Sequence, residues 1–200
     1  YLGAWASGER EGFGVEKFKN GDMYQGSFVG NVKSGAGRYI HARDGAVYTG
    51  GFAEGLRQGL GRLEAEDGGV YLGSWELGKR EGLGLEVGKD GRVYFGHWKK
   101  DAKQGVGYML YEGLEYKGEW LNGKPHGLAM FIGEDKVEKY GVFENGVMTN
   151  YWISEMDPAS SISFAICKHF LTSASRNRVE ELKEHLEVFY GQAQWRNKER

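Results

Sequence analysis

Five histidines, one cysteine and 28 acidic residues are the side chains of this 200-residue chain that could ligate a metal or move a proton. A metal site brings three or four such ligands together and usually shows paired spacing in sequence. His41, His97, His126, His169 and His185 stand apart, without such pairs, and read as surface or packing residues; no metal is expected. Cys167 follows Ile166 in an apolar stretch and reads as a small buried hydrophobe rather than a catalytic or lipidated thiol. Gly-x-Gly pairs such as Gly12 and Gly14 have no Gly-Lys-Ser/Thr and no following helix, so they do not form a phosphate loop. Glu64, Glu66 and Asp67 fall near a turn and solvate the surface. Lys99, Lys100 and Lys103 form a small basic cluster, read as a solvated turn because a stable lipid patch takes more charge than this. The expectation is a non-enzyme without a cofactor.

What recurs is aromatic. Tyr1-x-Gly3-x-Trp5, Tyr24-x-Gly26-x-Phe28, Tyr48-x-Gly50-x-Phe52, Tyr71-x-Gly73-x-Trp75, Tyr94-x-Gly96-x-Trp98 and Tyr116-x-Gly118-x-Trp120 follow one another at steps of 23, 24, 23, 23 and 22 residues. Such a period signals a stacked array in which each unit packs on its neighbours. Composition agrees: there are 34 glycines and two prolines, against a usual glycine share of roughly 7%, and 14% of residues are aromatic. Collagen would need more proline, and disorder fewer rings. The 26 basic and 28 acidic residues nearly cancel, so no global field draws the chain to nucleic acid. One cysteine excludes a disulfide framework and favours a reducing, cytoplasmic setting. No apolar run is long enough to span a bilayer. The chain opens at Tyr1, inside a repeat and without an initiator Met, as a fragment of a longer protein would.

Within a repeat, Tyr71, Gly73 and Trp75 alternate, so a strand places them on one face and Leu72 and Ser74 on the other. Gly8, Gly55, Gly78 and Gly123 then turn the chain, and a second strand begins at Gly-x-Gly, as at Gly35/Gly37 and Gly82/Gly84. Asn20-Gly21, Asp44-Gly45, Asp67-Gly68 and Asp90-Gly91 close the unit with hairpin signals. Each repeat is expected to be one hairpin of a continuous antiparallel meander. Both glycines of each pair are expected to leave recesses over which neighbouring rings lie. The residues between them, Phe13, Ala36, Leu60, Leu83, Val106 and Leu128, are expected to form a thinner apolar row on the opposite face.

This pattern resembles the MORN repeat (membrane occupation and recognition nexus) over residues 1–146, with six clear units and a degenerate seventh, Tyr140-Gly141-Val142-Phe143. Phe28 and Phe52 replace Trp, Gly30 comes one place early, Asp101 replaces the turn glycine and Ala129 the last glycine. The resemblance implies an elongated, mainly β, single-layer antiparallel sheet with a groove on one face. It also implies a scaffold or adaptor at cytoskeletal or membrane-associated assemblies, with a regulatory region of a larger enzyme and an anionic-lipid targeting module as alternatives.

The array is assigned to 1–150 and a helical segment to 151–200. Asp157-Pro158 opens a first helix, and Val179, Leu182, Leu186 and Phe189 form the apolar stripe of a second. That stripe could cap the last strand, fill the groove of the array, or contact another protein. The partner-binding face is placed on Tyr24, Phe28, Tyr48, Phe52, Tyr71, Trp75, Tyr94, Trp98, Tyr116 and Trp120. A helical or extended protein segment is the expected partner, with self-association at the sheet edge and weak contact with anionic lipid as further readings.

Overall fold

A computed structural model of the protein describes residues 1–153, which form one unit. The expected helices and the stripe Val179, Leu182, Leu186 and Phe189 lie outside the described residues.

The unit is an open antiparallel sheet of fourteen strands in strict chain order. Its first half comprises β1 (Leu2–Ala6), β2 (Glu9–Lys17), β3 (Met23–Val29), β4 (Val32–Ile40), β5 (Val47–Ala53), β6 (Leu56–Glu64) and β7 (Val70–Glu76). The second half comprises β8 (Lys79–Val87), β9 (Val93–Lys99), β10 (Ala102–Tyr111), β11 (Leu114–Leu121), β12 (Lys124–Ile132), β13 (Glu138–Glu144) and β14 (Val147–Ile153).

Two kinds of turn alternate as far as β10, after which two short turns, Glu112-Gly113 and Asn122-Gly123, follow in succession. The short ones have two residues, both with positive φ, as at Leu77 (48°) and Gly78 (80°). That geometry matches the twist of an antiparallel pair, which is why Gly and Asn recur there. The displaced glycine of the second repeat is explained by it: Gly30 (53°) takes the first place and Asn31 (70°) the second, and Asp101 (71°) does the same in the fifth turn of this kind. Both polar substitutes reach back, the Asn31 and Asp101 Oδ1 atoms each accepting the backbone N–H of Arg10 or Arg80 at 2.9 Å. Four of the five longer turns use Asn or Asp followed by Gly, and the last has Asp135 followed by Lys136. Asn20, Asp67 and Asp90 accept the N–H two residues on at 3.0–3.1 Å, and the next glycine takes positive φ.

The two glycines of each Gly-x-Gly differ in role, which corrects the expectation that both form recesses. In the hairpin β3–β4, Gly26 faces Gly37 and Phe28 faces Lys33, so β4 carries two extra residues between these pairs. The same offset recurs in β2, β6, β8 and β10. The first glycine (Gly12, Gly35, Gly59, Gly82, Gly105) sits in this bulge with φ between 66° and 73°. The second (Gly14, Gly37, Gly61, Gly84, Gly107) is the recess. Because the excess is two, side chains resume on the same faces; an excess of one would swap them.

The core is a zipper of rings on the face that carries Tyr24, Gly26 and Phe28, called here the ring face. Each tyrosine stands edge-on to the large ring of its own repeat and to that of the next, as Tyr48 does to Phe52 (5.2 Å, 89°) and Trp75 (5.2 Å, 82°). The contacts run unbroken from Trp5 through Tyr1 and Phe28 to Tyr116 and Phe143. Edge-to-face packing suits the ring quadrupoles. The seventh unit is degenerate in register as well as in sequence. Tyr140 pairs with Met130 and Gly141 with Ala129, which turns Tyr140 to the opposite face and puts Lys139 where a ring would stand.

The opposite face is uneven. Phe13 and Leu60 of the expected apolar row are 60% and 76% exposed. Phe95, between Leu85 and Tyr108 on the neighbouring strands, is buried there.

Candidate functional site

The ten rings assigned to partner binding are brought together by the ring face. All are buried, from Tyr24, Tyr48 and Tyr94 at 0% exposure to Phe52 at 6%. Each tyrosine hydroxyl donates to the backbone carbonyl three residues on, as Tyr24 does to Ser27 (3.0 Å) and Tyr94 to His97 (3.0 Å). Burial pushes the Tyr24 and Tyr48 phenols up to about 12, and those of Tyr71, Tyr94 and Tyr116 up as well. Trp75 and Trp98 donate their indole N–H to the carbonyls of Gly61 (3.2 Å) and Gly84 (3.4 Å), whereas Trp120 Nε1 is buried without a hydrogen-bond acceptor.

Above these rings stands a row of cations, which the sequence reading missed. Arg10, Lys33, Arg57, Arg80 and Lys103 each stand nine residues after the tyrosine of their repeat. Each rests between that tyrosine and the large ring of the next repeat. Arg57 lies 4.1 Å above Trp75 and 5.7 Å from Tyr48, and Arg80 lies 4.1 Å above Trp98 and 5.4 Å from Tyr71. Such placement is favoured by the negative face of the ring. The signal was legible as a second residue type sharing the tyrosine period. Pro125 holds the sixth position, so the row ends there. Of the three lysines grouped in the sequence, Lys99 and Lys100 are exposed, while Lys103 is withdrawn onto the ring of Tyr94 at 4.7 Å.

The row is neutralised unevenly. Arg10 pairs with Glu16. Arg80 pairs with Glu86 (2.9 Å) and Asp101 (3.3 Å), and Lys103 pairs with Glu86 (2.7 Å). Glu16 and Glu86 occupy equivalent positions, opposite Tyr24 and Tyr94. In the second and third repeats that position holds Tyr39 and Leu63. Among the described residues, Lys33 and Arg57 accordingly have no carboxylate within ion-pair distance. Lys33 is surrounded by Tyr39 (4.5 Å), Phe18, Phe52 (both 5.6 Å) and Tyr24 (5.7 Å), and Glu16 and Asp22 act on it only at longer range. Arg57 donates to the Gly78 carbonyl at 2.7 Å. Burial pulls both cations below their ordinary pKa.

Beside Lys33, the buried Asp22 carboxylate accepts from the Tyr39 hydroxyl (2.7 Å), the Ala42 N–H (2.8 Å) and the Asn20 amide (2.8 Å). These bonds, Tyr39's first, hold its carboxyl below the usual range. The Tyr39 phenol is raised to about 12, chiefly by burial. Further along the face, a cleft of about 350 Å³ is lined by Tyr71, Arg80, Glu86, Lys89, Arg92 and Lys103, with Asp67 and Asp90 at its border. Its charges are of mixed sign.

No set of three His, Cys, Asp or Glu side chains that could hold a metal occurs among the described residues. The His41 ring lies tilted against Tyr39 with centroids 4.7 Å apart, the His97 ring meets the Val106 carbonyl at 3.3 Å, and His126 Nδ1 is buried without a hydrogen-bond partner. His169, His185 and Cys167 lie outside the described residues.

The family model of the MORN repeat matches residues 1–23, 24–43, 48–70, 71–91, 94–113 and 116–136, more than half of the chain. MORN repeats are a non-enzymatic repeat type, consistent with a scaffold that binds membranes or proteins. With its tyrosines and large rings six times over, and paired glycines after the first five, the chain belongs to the MORN-repeat family.

Proposed function

We propose that this region is a non-catalytic scaffold that binds a segment of a partner protein along the ring face and so helps to organise a cytoskeletal or membrane-associated assembly in the cytoplasm. The observation that carries this reading is the row from Arg10 to Lys103. It presents a charged, hydrogen-bonding group at each of the first five repeats above a closed floor of rings. The rings give the face rigidity, and the cations with the carboxylates between them give it chemical identity. A protein segment suits the row better than a lipid surface, because Glu16, Glu86 and Asp101 already neutralise three of its five cations.

The test places a photoreactive amino acid at Leu63, on the ring face, or at exposed Thr49, on the other. Adducts identified by mass spectrometry are then rebuilt from purified protein and purified partner segment. The expected result is a direct complex formed through position 63 and not 49. Adducts arising only from position 49, or equally from both, overturn the assignment to this face.

A further inference from the structure

Lys33 and Arg57 hold equivalent places in consecutive repeats, on β4 and β6. Strands in a sheet lie about 4.8 Å apart, which separates the two cations by roughly 9.5 Å across the sheet. In the first and fourth repeats the matching cations, Arg10 and Arg80, find a carboxylate within the chain. In the second and third, Tyr39 and Leu63, both half-buried, replace that carboxylate. The fold thus contains two adjacent positions where a cation is seated on rings, flanked by apolar side chains, and the carboxylates that act on it (Glu16 and Asp22 on Lys33, Asp101 on Arg57) stand beyond ion-pair distance.

We propose that these two positions dock an acidic amphipathic helix of a partner protein, its carboxylates seven residues apart reaching Lys33 and Arg57; this rests on the ring face being the docking face. The spacing selects the helix. In an extended segment, side chains on one side stand about 6.7 or 13 Å apart, neither of which matches the cations. In a helix, residues i and i+7 share a face and stand about 10.5 Å apart. The misfit of about 1 Å is within the reach of long Lys, Arg and Glu side chains. Apolar residues between the two acids meet Tyr39 and Leu63. A carboxylate arriving there also meets donors already largely withdrawn from water, where a charge pair is worth more than on an open surface.

The probe is a synthetic alanine-based helical peptide carrying glutamate at i and i+7 with leucine between, followed by fluorescence anisotropy with the intact protein. A permuted peptide of equal composition has glutamates on different sides of the helix, and a third peptide has lysine for glutamate. The expected result is binding about tenfold tighter for the spaced peptide than for either control. Lys33→Gln and Arg57→Gln, verified to melt like the parent, should each weaken it about fivefold to tenfold. Glu86→Gln, which frees Lys103 and leaves Arg80 with Asp101 alone, should strengthen it. The lysine peptide on the unmodified protein tests the sign of the charge without any variant. Equal binding of spaced and permuted peptides, or binding unmoved by both Gln variants, overturns the proposal. So does preferential binding of phosphatidylserine vesicles that is lost in the same variants. If position 63 still captures a partner segment while the peptides fail, the docking face survives and only the acidic helix is excluded.

Discussion

The ring of Tyr48 lies directly on Gly61, so that a Cβ built on that glycine would stand 2.5 Å from the ring edge. Gly50, in the same strand as the tyrosine, is covered by the same ring, its added Cβ falling 2.5 Å from the hydroxyl oxygen. One tyrosine and two glycines from paired strands thus form a single packing unit, and its repetition gives the tyrosine-to-glycine spacing its meaning.

Gly61→Ala should therefore cost about 3 kcal/mol, because the ring must leave its seat and the zipper contacts on both sides go with it. Gly59→Ala meets nothing within 4 Å and only strains a φ of +72°, at a cost of about 1 kcal/mol. Thermal melts of the two variants check the order; equal costs would mean that the ring does not depend on the recess.

Trp98→Ala should cost about 3–5 kcal/mol, since the indole is buried between Tyr71 and Tyr94 beneath Arg80. Lys117→Ala, on the other face, should stay within about 0.5 kcal/mol. Urea titration of both variants gives the comparison, and a reversed order would invalidate the assignment of faces.

Leu77 breaks two rules together, with a φ of 48° and 68% exposure. Leu77→Asn should stabilise the sheet by about 0.5–1 kcal/mol, because Asn tolerates the left-handed region and is favoured at the first place of this turn. A lower melting temperature for the variant would refute the conformational argument.

Alkali should unfold the sheet cooperatively. The Tyr24, Tyr39 and Tyr48 phenols ionise at about 12 in the fold, against 10.0 for the free group. Below pH 10 both states keep these protons and stability is flat. Between pH 10 and 12 the unfolded chain releases them first, so stability falls as pH rises. Tyrosinate absorbance should appear together with loss of near-ultraviolet circular dichroism. Ionisation of these buried phenols near pH 10 with the sheet intact would contradict this.

The hairpins and their order were legible because ring, glycine and turn residues repeat at one period and alternate at two. The division of labour between Gly35 and Gly37 was not, since both are glycine and only the pairing shows that one bends the strand while the other receives a ring. The cations share the tyrosine period in the sequence, but their seat on the rings was not legible there. A charged residue in a strand reads as solvated, and only the bulge brings Arg57 back over Trp75. The face of Tyr140 was not legible for the same reason: it is set by register with Met130.

The strict chain order of the strands has a kinetic consequence. Sheet proteins usually fold slowly because their pairings join distant parts of the chain. Here even the widest pairs, such as Met23 with Ile40, stand less than one repeat apart in sequence. Loop closure is therefore inexpensive at every step. A hairpin can form as soon as its residues have left the ribosome, and each completed hairpin is the template on which the next one closes.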